Sequence, residues 1–384
     1  MKRFLKILFL CSYEYQVYLF YSFCCHSYIN TYIIFSYAKQ QGFQSRCGGG
    51  GSDISLFNHI ISLPNLLKAW KEFKKSKSSK KDVFNFEFNL ENNLFALNQR
   101  LLDKTYEPSP YEAFFVYDPK KRHIHKANVS DRVLYQAVYR IIYPIFDKHF
   151  IYDSYSSRKE KGVHTASKRL FVFLRKISKN WNAPVFALKC DVRKFFDSIN
   201  HDVLFSLISK KIKDRDTLNL IESIFKSFEK SKGVGLPLGN VTSQLFANIY
   251  LNELDQFIKH NLKVKYYLRY ADDFIILNNN QKVLEAVLLK LKEFLRVNLK
   301  LELHPNKISI RKLHQGIDFV GYVILKDAVV LRTKTKKRIY KKLKKAKKDL
   351  QNELLDKEKF IQIKNSYLGI LKHCKDKEIK RQIS

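Results

Sequence analysis

Three aspartates stand where clustered carboxylates could carry out phosphoryl-transfer chemistry. The segment YYLRYADDFIIL, residues 266–277, sets Asp272 and Asp273 side by side between two apolar stretches. Carboxylates a few ångströms apart repel and lose hydration, and a bound cation offsets that cost. Strict strand alternation would send the two to opposite faces, but a turn between short strands lets both reach one site. Taken alone, residues 270–273 also read as the solvated tip of a hairpin. Far upstream the apolar run VFALKCDV carries Asp191 at its end, and a third carboxylate on a strand beside the hairpin completes a set. Such a set suits two Mg²⁺ ions roughly 3.5–4 Å apart, one activating a hydroxyl nucleophile and the other gripping a triphosphate. Oxygen donors fit Mg²⁺, with Mn²⁺ as the alternative, and the Val192 carbonyl is a further candidate ligand. The competing role for Asp191 is to cap a helix that starts in RKFFDSI.

The remainder of the chain says what such a site would act on. Its 384 residues hold 71 Lys and Arg against 36 Asp and Glu, a formal charge of +35. A charge that large repels itself in the folded state and implies a polyanionic partner: nucleic acid first, an anionic membrane surface second. With 45% hydrophobic residues the composition excludes wholesale disorder. Of six cysteines, Cys11, Cys24, Cys25 and Cys47 fall in the first 47 residues. None shows zinc-ligand spacing or a disulfide framework, which suits a reducing cytosol and a cytoplasmic location.

Residues 1–52 stand apart as an unassigned apolar extension and a Gly-rich linker. From 17 to 37 there is no charged residue, a length that could span a bilayer. Lys2, Arg3 and Lys6 ahead of an apolar run also fit a signal peptide. His26, Asn30 and Thr31 are costly in hydrocarbon, so a membrane span is disfavoured. Residues 48–52, GGGGS, are a flexible linker by composition.

From 53 onward the pattern is mixed α/β. Helical spacing covers 63–73, opened by Pro64, and 90–102. A short aromatic strand is expected at 111–117. Asp131 is placed to cap a helix carrying Leu134, Val138, Ile141 and Ile142, and a further helix begins near Thr165. Strand 185–192 comes next, then helices from about 202 and over 241–257, the hairpin at 266–277, a helix over 281–297, and strands near Ile308 and Phe319. Between the aspartates, GVGLPLGNVTSQLFANIYLNELD (233–255) offers Gly235, Pro237 and Gly239 for close backbone approach to a flat partner, with Thr242 or Ser243 starting the helix.

These segments carry a family resemblance. VFALKCDVRKFFDSI, GLPLGNVTSQLFANIYLNELD and LRYADDFIIL, in that order, resemble motifs A, B and C of reverse transcriptases of the prokaryotic, group II intron-like lineage. Residues 130–170 look like that family's fingers, LELHPNKISI and GIDFVGYVI like its motif D and primer grip, and NSYLGILKH like the end of its thumb. The resemblance implies a right-hand polymerase: fingers over 53–180, a palm with an antiparallel sheet and helices over 181–325 (including a fingers-side helix near 202–232), and a helical thumb over 326–384. It implies an RNA-directed DNA polymerase using an RNA template, a DNA or RNA primer and deoxynucleoside triphosphates. Many relatives have Gln-Gly and then Ser-Pro in motif B; here Leu238-Gly239 and Ser243-Gln244 stand there, a pattern similar to diversity-generating retroelement enzymes. Residues 82–122 also look like the N-terminal region of those enzymes. They copy a template repeat into cDNA with errors at adenines and work with a small basic helical accessory protein.

Carried across by position, the resemblance makes Phe196 the steric gate against a ribose 2′-hydroxyl. It places Leu238, Gly239 and Gln244 at the templating pair, and Arg158 and Lys161 at the triphosphate. Lys307 becomes a candidate acid toward pyrophosphate, and Tyr270, Gly321 and Tyr322 contact the primer. From 332 to 348 eleven of seventeen residues are Lys or Arg and none is acidic. On a helix, that face, Lys336, Lys337 and Arg338 among it, would meet phosphates, with binding that falls steeply in salt.

Overall fold

The protein is described by a computed structural model covering residues 55–118 and 120–376. The expectations for the first 52 residues lie outside that range. The chain divides into two compact units. Among the described residues the first takes those from 55 to 142 together with 214–224 and 240–242; the second takes 143–213, 225–239 and 243–376. Among the described residues no helix is long and apolar enough to cross a membrane.

The first unit is mainly helical. Leu63–Phe73 opens with proline in its first turn, where a missing N–H costs nothing. Its buried stripe is Leu66, Ala69, Trp70 and Phe73; the helix packs on Leu90–Leu102, where Leu97 and Leu101 are buried, and Trp70 packs on Phe86 at 5.1 Å. Asp131 does not cap a helix as expected. The helix Val129–Asp147 already runs past it, and its buried carboxylate accepts the Tyr106 hydroxyl at 2.8 Å and the Ser109 N–H at 3.0 Å. The aromatic strand β1 (Glu112–Val116) pairs antiparallel with β2 (Arg122–Lys126), a strand that the polar sequence RHIHK concealed.

The second unit is built on a four-stranded antiparallel sheet in the order β4-β5-β3-β6. Its strands are β3 (Phe186–Asp191), β4 (Tyr267–Tyr270), β5 (Asp273–Asn278) and β6 (Ser309–Lys312). Alternation gives the sheet two different faces. On one, Ala187, Leu268, Ile275 and Leu277 pack under Leu170, Phe173, Leu174 and Ile177 of Val163–Ile177. On the other, Tyr267 and Arg269 meet the helix Val241–Gln256, and Gln281–Asn298 lies against β3 and β5. A second sheet, β7 (Ile317–Phe319), β8 (Tyr322–Ile324) and β9 (Val329–Leu331), joins the first core through Ile317, Phe319 and Ile324. The basic helix Thr333–Gln351 follows, and its buried Ile339 shares a core with Leu331, Tyr322 and Leu371 of Lys357–Leu371.

Candidate active site

The sheet brings two of the three aspartates directly together. Asp191, last residue of β3, is the register partner of Asp273, first residue of β5, and Tyr270 pairs Asp273 from the other side. Directly opposed residues project to the same face, with Cβ atoms about 4.5–5.5 Å apart. Asp272 occupies the two-residue turn between β4 and β5 with Ala271, which is held at φ 54°. The Asp272 carbonyl accepts the Val192 N–H at 3.2 Å, tying the turn to the segment that leaves Asp191. Val192 bridges Leu303 as a non-hydrogen-bonded pair, since the flanking bonds run from His304 N–H to Asp191 and from Arg193 N–H to Glu302. Its own N–H and C=O therefore both point to the hairpin side. Asp191 caps no helix.

The electrostatics of this face are unbalanced. Asp273 Oδ1 is shut off from solvent without a hydrogen-bond partner. Burial is the largest influence on Asp273 and outweighs Lys189, so the carboxyl is pushed up to about 6. Two ammonium groups supply counter-charge: Lys189 Nζ stands 3.4 Å from Asp273 Oδ2, and Lys307 Nζ donates to Asp191 Oδ1 at 2.6 Å. Among the described residues no group of three or more His, Cys, Asp or Glu side chains closes into a metal-ligating cluster. The chain instead presents an opposed carboxylate pair with a third acid on the adjoining turn. In kind these donors fit a hard divalent cation: all oxygen, clustered, and including a buried oxygen that nothing among the described residues satisfies.

What holds the hairpin was not legible as function in the sequence. Arg269, on the opposite face of β4, is fully buried and gives Asp255 a bidentate pair, Nε to Oδ1 at 2.8 Å and Nη2 to Oδ2 at 2.6 Å. Its remaining nitrogen donates to Asn248 Oδ1 at 3.2 Å and to the Ala271 carbonyl at 3.0 Å. Tyr267 also donates to Asp255 at 2.6 Å. The strained turn residue is thus tied by a buried guanidinium to the helix Val241–Gln256. The only hint was an arginine inside an apolar strand, a residue type that is almost never buried unless paired.

The loop before that helix is laced to the segment after Asp191. Leu236 N–H donates to the Phe196 carbonyl at 2.7 Å, Gly235 N–H to Ile199 at 2.8 Å, and the buried His201 ring meets the Gly235 carbonyl at 2.7 Å. Gly235 sits at φ 119°, and a Cβ there would come within 2.9 Å of the Lys230 backbone. In the short 3-10 turn Phe195–Ser198, Phe195 turns inward and Phe196 stays half-buried. Leu236 is buried, Leu238 half-buried, and Gly239 and Gln244 are exposed. The helix starts at Val241, so Thr242 and Ser243, both buried, lie inside it rather than at its cap.

Other expected contacts are placed differently. Arg158 is turned inward: Nε donates to Asp147 at 2.7 Å and Nη1 to the carbonyls of Ile151 and Ser154. It shapes its own loop rather than reaching outward. Lys161 bonds the Tyr152 carbonyl and stands 3.8 Å from the Tyr152 ring, and burial pulls its ammonium down to about 8. Val320 and Gly321, at φ 45° and 88°, form the two-residue turn joining Phe319 to Tyr322. The Tyr322 ring is buried, its hydroxyl 2.9 Å from His164 Nδ1, so the turn can offer a primer backbone but not that side chain. Lys336 is ion-paired with Asp376, whereas Lys337 and Arg338 are exposed.

Comparison with known proteins shows what the chain is similar to. Residues 118–324, more than half of the chain, match the family described as Reverse transcriptase (RNA-dependent DNA polymerase). Protein YkfC of Escherichia coli is 26% identical over 272 residues, covering 60% of this chain and 70% of that protein. The group II intron-encoded protein LtrA of Lactococcus lactis is 27% identical over 312 residues, 62% of this chain and 50% of that protein. The chain thus spans about half the length of that intron-encoded relative. Among solved structures, apo telomerase from Candida tropicalis aligns over 62% of this chain and 60% of that one, with a TM-score of 0.43 and 14% identity. Telomerase from Candida albicans with a telomeric RNA fragment aligns over 60% and 48%, with a TM-score of 0.45 and 11% identity. The motifs that contain Asp191, Asp272 and Asp273 all fall within the matched span, and the chain belongs to the reverse transcriptase (RNA-dependent DNA polymerase) family, in its group II intron-like lineage.

Proposed function

We propose that this chain copies an RNA template into cDNA by two-metal nucleotidyl transfer at Asp191, Asp272 and Asp273. The observation that carries the reading is the opposed Asp191–Asp273 pair with a buried carboxylate oxygen that no described residue satisfies. Divalent ions bound there, Mg²⁺ or Mn²⁺, would activate a primer 3′-hydroxyl and stabilise charge on the triphosphate. The Val192 carbonyl, on the same side, is the further donor.

The chain's own residues do the remaining work. Lys307, already on Asp191, is the proton donor within reach of a leaving pyrophosphate. The half-exposed Phe196 ring, its backbone pinned by Leu236, crowds a ribose 2′-hydroxyl and favours deoxynucleotides. Leu238, Gly239 and Gln244 form an uncharged, partly apolar surface for the templating pair. Lys161 rather than Arg158 faces the triphosphate. The backbone at Tyr270 and Gly321 guides the primer, while Lys337 and Arg338 hold duplex phosphates. Leu238 in place of a polar residue supports the finer reading: error-prone cDNA synthesis in a diversity-generating retroelement, with a small basic accessory protein and a cytoplasmic location.

Primer extension by the full chain on a defined RNA, with deoxynucleotides and Mg²⁺, tests the activity. Product with deoxynucleotides is expected; RNA binding with no extension would instead fit a maturase-like scaffold. Sequencing the cDNA tests the subtype. Errors concentrated opposite template adenines are expected, and uniform accuracy would point to a retron-like or defence-associated enzyme.

A further inference from the structure

Lys189 breaks the pattern of the strand that carries it. By alternation it shares a face of β3 with Ala187 and Asp191, and its register partner Ile275 is buried in the core beneath Val163–Ile177. The lysine is half-buried there, its side chain 23% exposed, where an apolar residue would bring no charge to desolvate. Two positions back from the Asp191–Asp273 pair, it is a diagonal neighbour of Asp273. Such neighbours lie roughly 7–8 Å apart, a gap that a long side chain spans.

Its ammonium makes two contacts of different kinds. Nζ stands 3.4 Å from Asp273 Oδ2 and donates to the Asp318 main-chain carbonyl at 3.0 Å. The first contact takes one oxygen of Asp273 and leaves Oδ1, the buried oxygen that no described residue satisfies, to a cation. The second reaches a different sheet, because Asp318 is the middle residue of β7. Charge balance alone needs no bond to an uncharged carbonyl of another sheet. The packing of Ile317, Phe319 and Ile324 on the first core is non-directional, whereas a hydrogen bond fixes one atom against another.

From Asp318 the tie continues to the turn at Val320 and Gly321. The Asp318 carboxylate accepts from the Arg332 guanidinium, Nε to Oδ1 at 2.8 Å, and the Arg332 N–H donates to the Gly321 carbonyl at 3.0 Å. Phe319 and Tyr322 close the same turn as a register pair. The turn that offers its backbone to a primer and the carboxylate that faces the cations are therefore joined through the Lys189 side chain.

We propose that Lys189 is a positioning residue, holding Asp273 against Asp318 so that a primer end guided at Gly321 meets the metal-holding carboxylates at a fixed distance. The role rests on the polymerase reading above. A misplacement of about 1 Å between reacting groups costs on the order of a hundredfold in rate, which sets the scale of the expected effect.

The test compares wild type, Lys189→Met and Lys189→Arg as full chains, by primer extension at saturating Mg²⁺ and deoxynucleotide. Mg²⁺ affinity is read without primer or nucleotide, from the concentration that suppresses Fe²⁺-directed backbone cleavage near 272–273. In Lys189→Met, kcat should fall roughly ten- to hundredfold, with the deoxynucleotide KM unchanged. Its Mg²⁺ affinity should stay equal or rise, because a positive neighbour is gone. Lys189→Arg, which keeps a cation able to donate to both oxygens, should recover most of kcat. Arg332→Gln loosens the same tie at its far end, so the double variant with Lys189→Met should lose less than the product of the two single losses. Lys189→Gln, polar but too short to span both partners, carries the same prediction if Lys189→Met unfolds in less urea. An unchanged kcat, a loss confined to subsaturating Mg²⁺, multiplying losses in the double variant, or a kcat loss accompanied by weaker Mg²⁺ binding would each overturn the role. A wild-type chain that extends no primer would overturn the polymerase reading and the role with it. A wild type that extends and a Lys189→Met variant that keeps pace would overturn the role alone.

Discussion

The two faces of the β4–β5 hairpin treat buried charge in opposite ways. On the face that meets the helix Val241–Gln256, Arg269 and Asp255 have no exposure, and all three guanidinium nitrogens are bonded to Asp255, Asn248 or the Ala271 carbonyl. On the other face, a few residues along, Asp273 keeps one buried oxygen without a partner, and its carboxyl rises to about 6. Buried charges in folded proteins are paired, because an uncompensated one costs several kcal/mol. One face obeys that rule completely and the other breaks it at the residue opposed to Asp191. The satisfied network is the scaffold, and the unsatisfied carboxylate is the part reserved for a ligand.

Neutralising the unsatisfied face should cost activity and spare the fold. Asp191→Asn or Asp273→Asn should lower primer extension on the order of a thousandfold, with RNA affinity kept within a few-fold. Extension within tenfold of wild type would erase the distinction between the faces.

Removing one partner from the satisfied face should do the reverse. Arg269→Met leaves the Asp255 charge buried with the Tyr267 hydroxyl but no cation and should destabilise the chain by about 3–5 kcal/mol in urea unfolding. Adding Asp255→Leu should recover much of that loss. If Arg269→Met alone unfolds like wild type, the scaffold role is wrong.

The two faces also differ in how they respond to pH. Asp273 is raised from an ordinary 3.8 to about 6, so ionising it opposes folding. That penalty is absent below pH 4, grows between 4 and 6, and is complete above 6. Asp273→Asn should therefore stabilise the metal-free chain by up to about 3 kcal/mol above pH 6, with the gain vanishing near pH 4. A gain that grew toward acid would contradict the assignment. The smallest effect is expected away from both faces. Lys337→Ala and Arg338→Ala should each lower the salt slope of duplex binding by about one, while Lys336→Ala, already paired with Asp376, should lower it less.

Much of the fold was legible because periodicity and turn chemistry are local. The helices at 63–73 and 90–102 and the short hairpin around Ala271 and Asp272 stand where alternation and spacing put them. What escaped depends on distant partners. RHIHK carries no apolar alternation of its own, and its strand depends on β1 supplying the other half of the ladder. Asp131 looks like a helix cap until Tyr106 and Ser109 claim it. Arg158 looks like a phosphate contact until Asp147 turns it inward. At the site, residue types announced the carboxylates, but the guanidinium that fixes their turn was invisible without Asp255 and Asn248 beside it.

Site-directed cleavage by Fe²⁺ in place of Mg²⁺, with ascorbate and peroxide on the full chain, tests most directly whether these carboxylates converge on bound cations. Backbone cuts clustered near residue 191 and near 272–273, suppressed by excess Mg²⁺ and absent in Asp273→Asn, are the expected result. Cuts confined to other segments, or a pattern that Asp273→Asn leaves intact, would contradict the account.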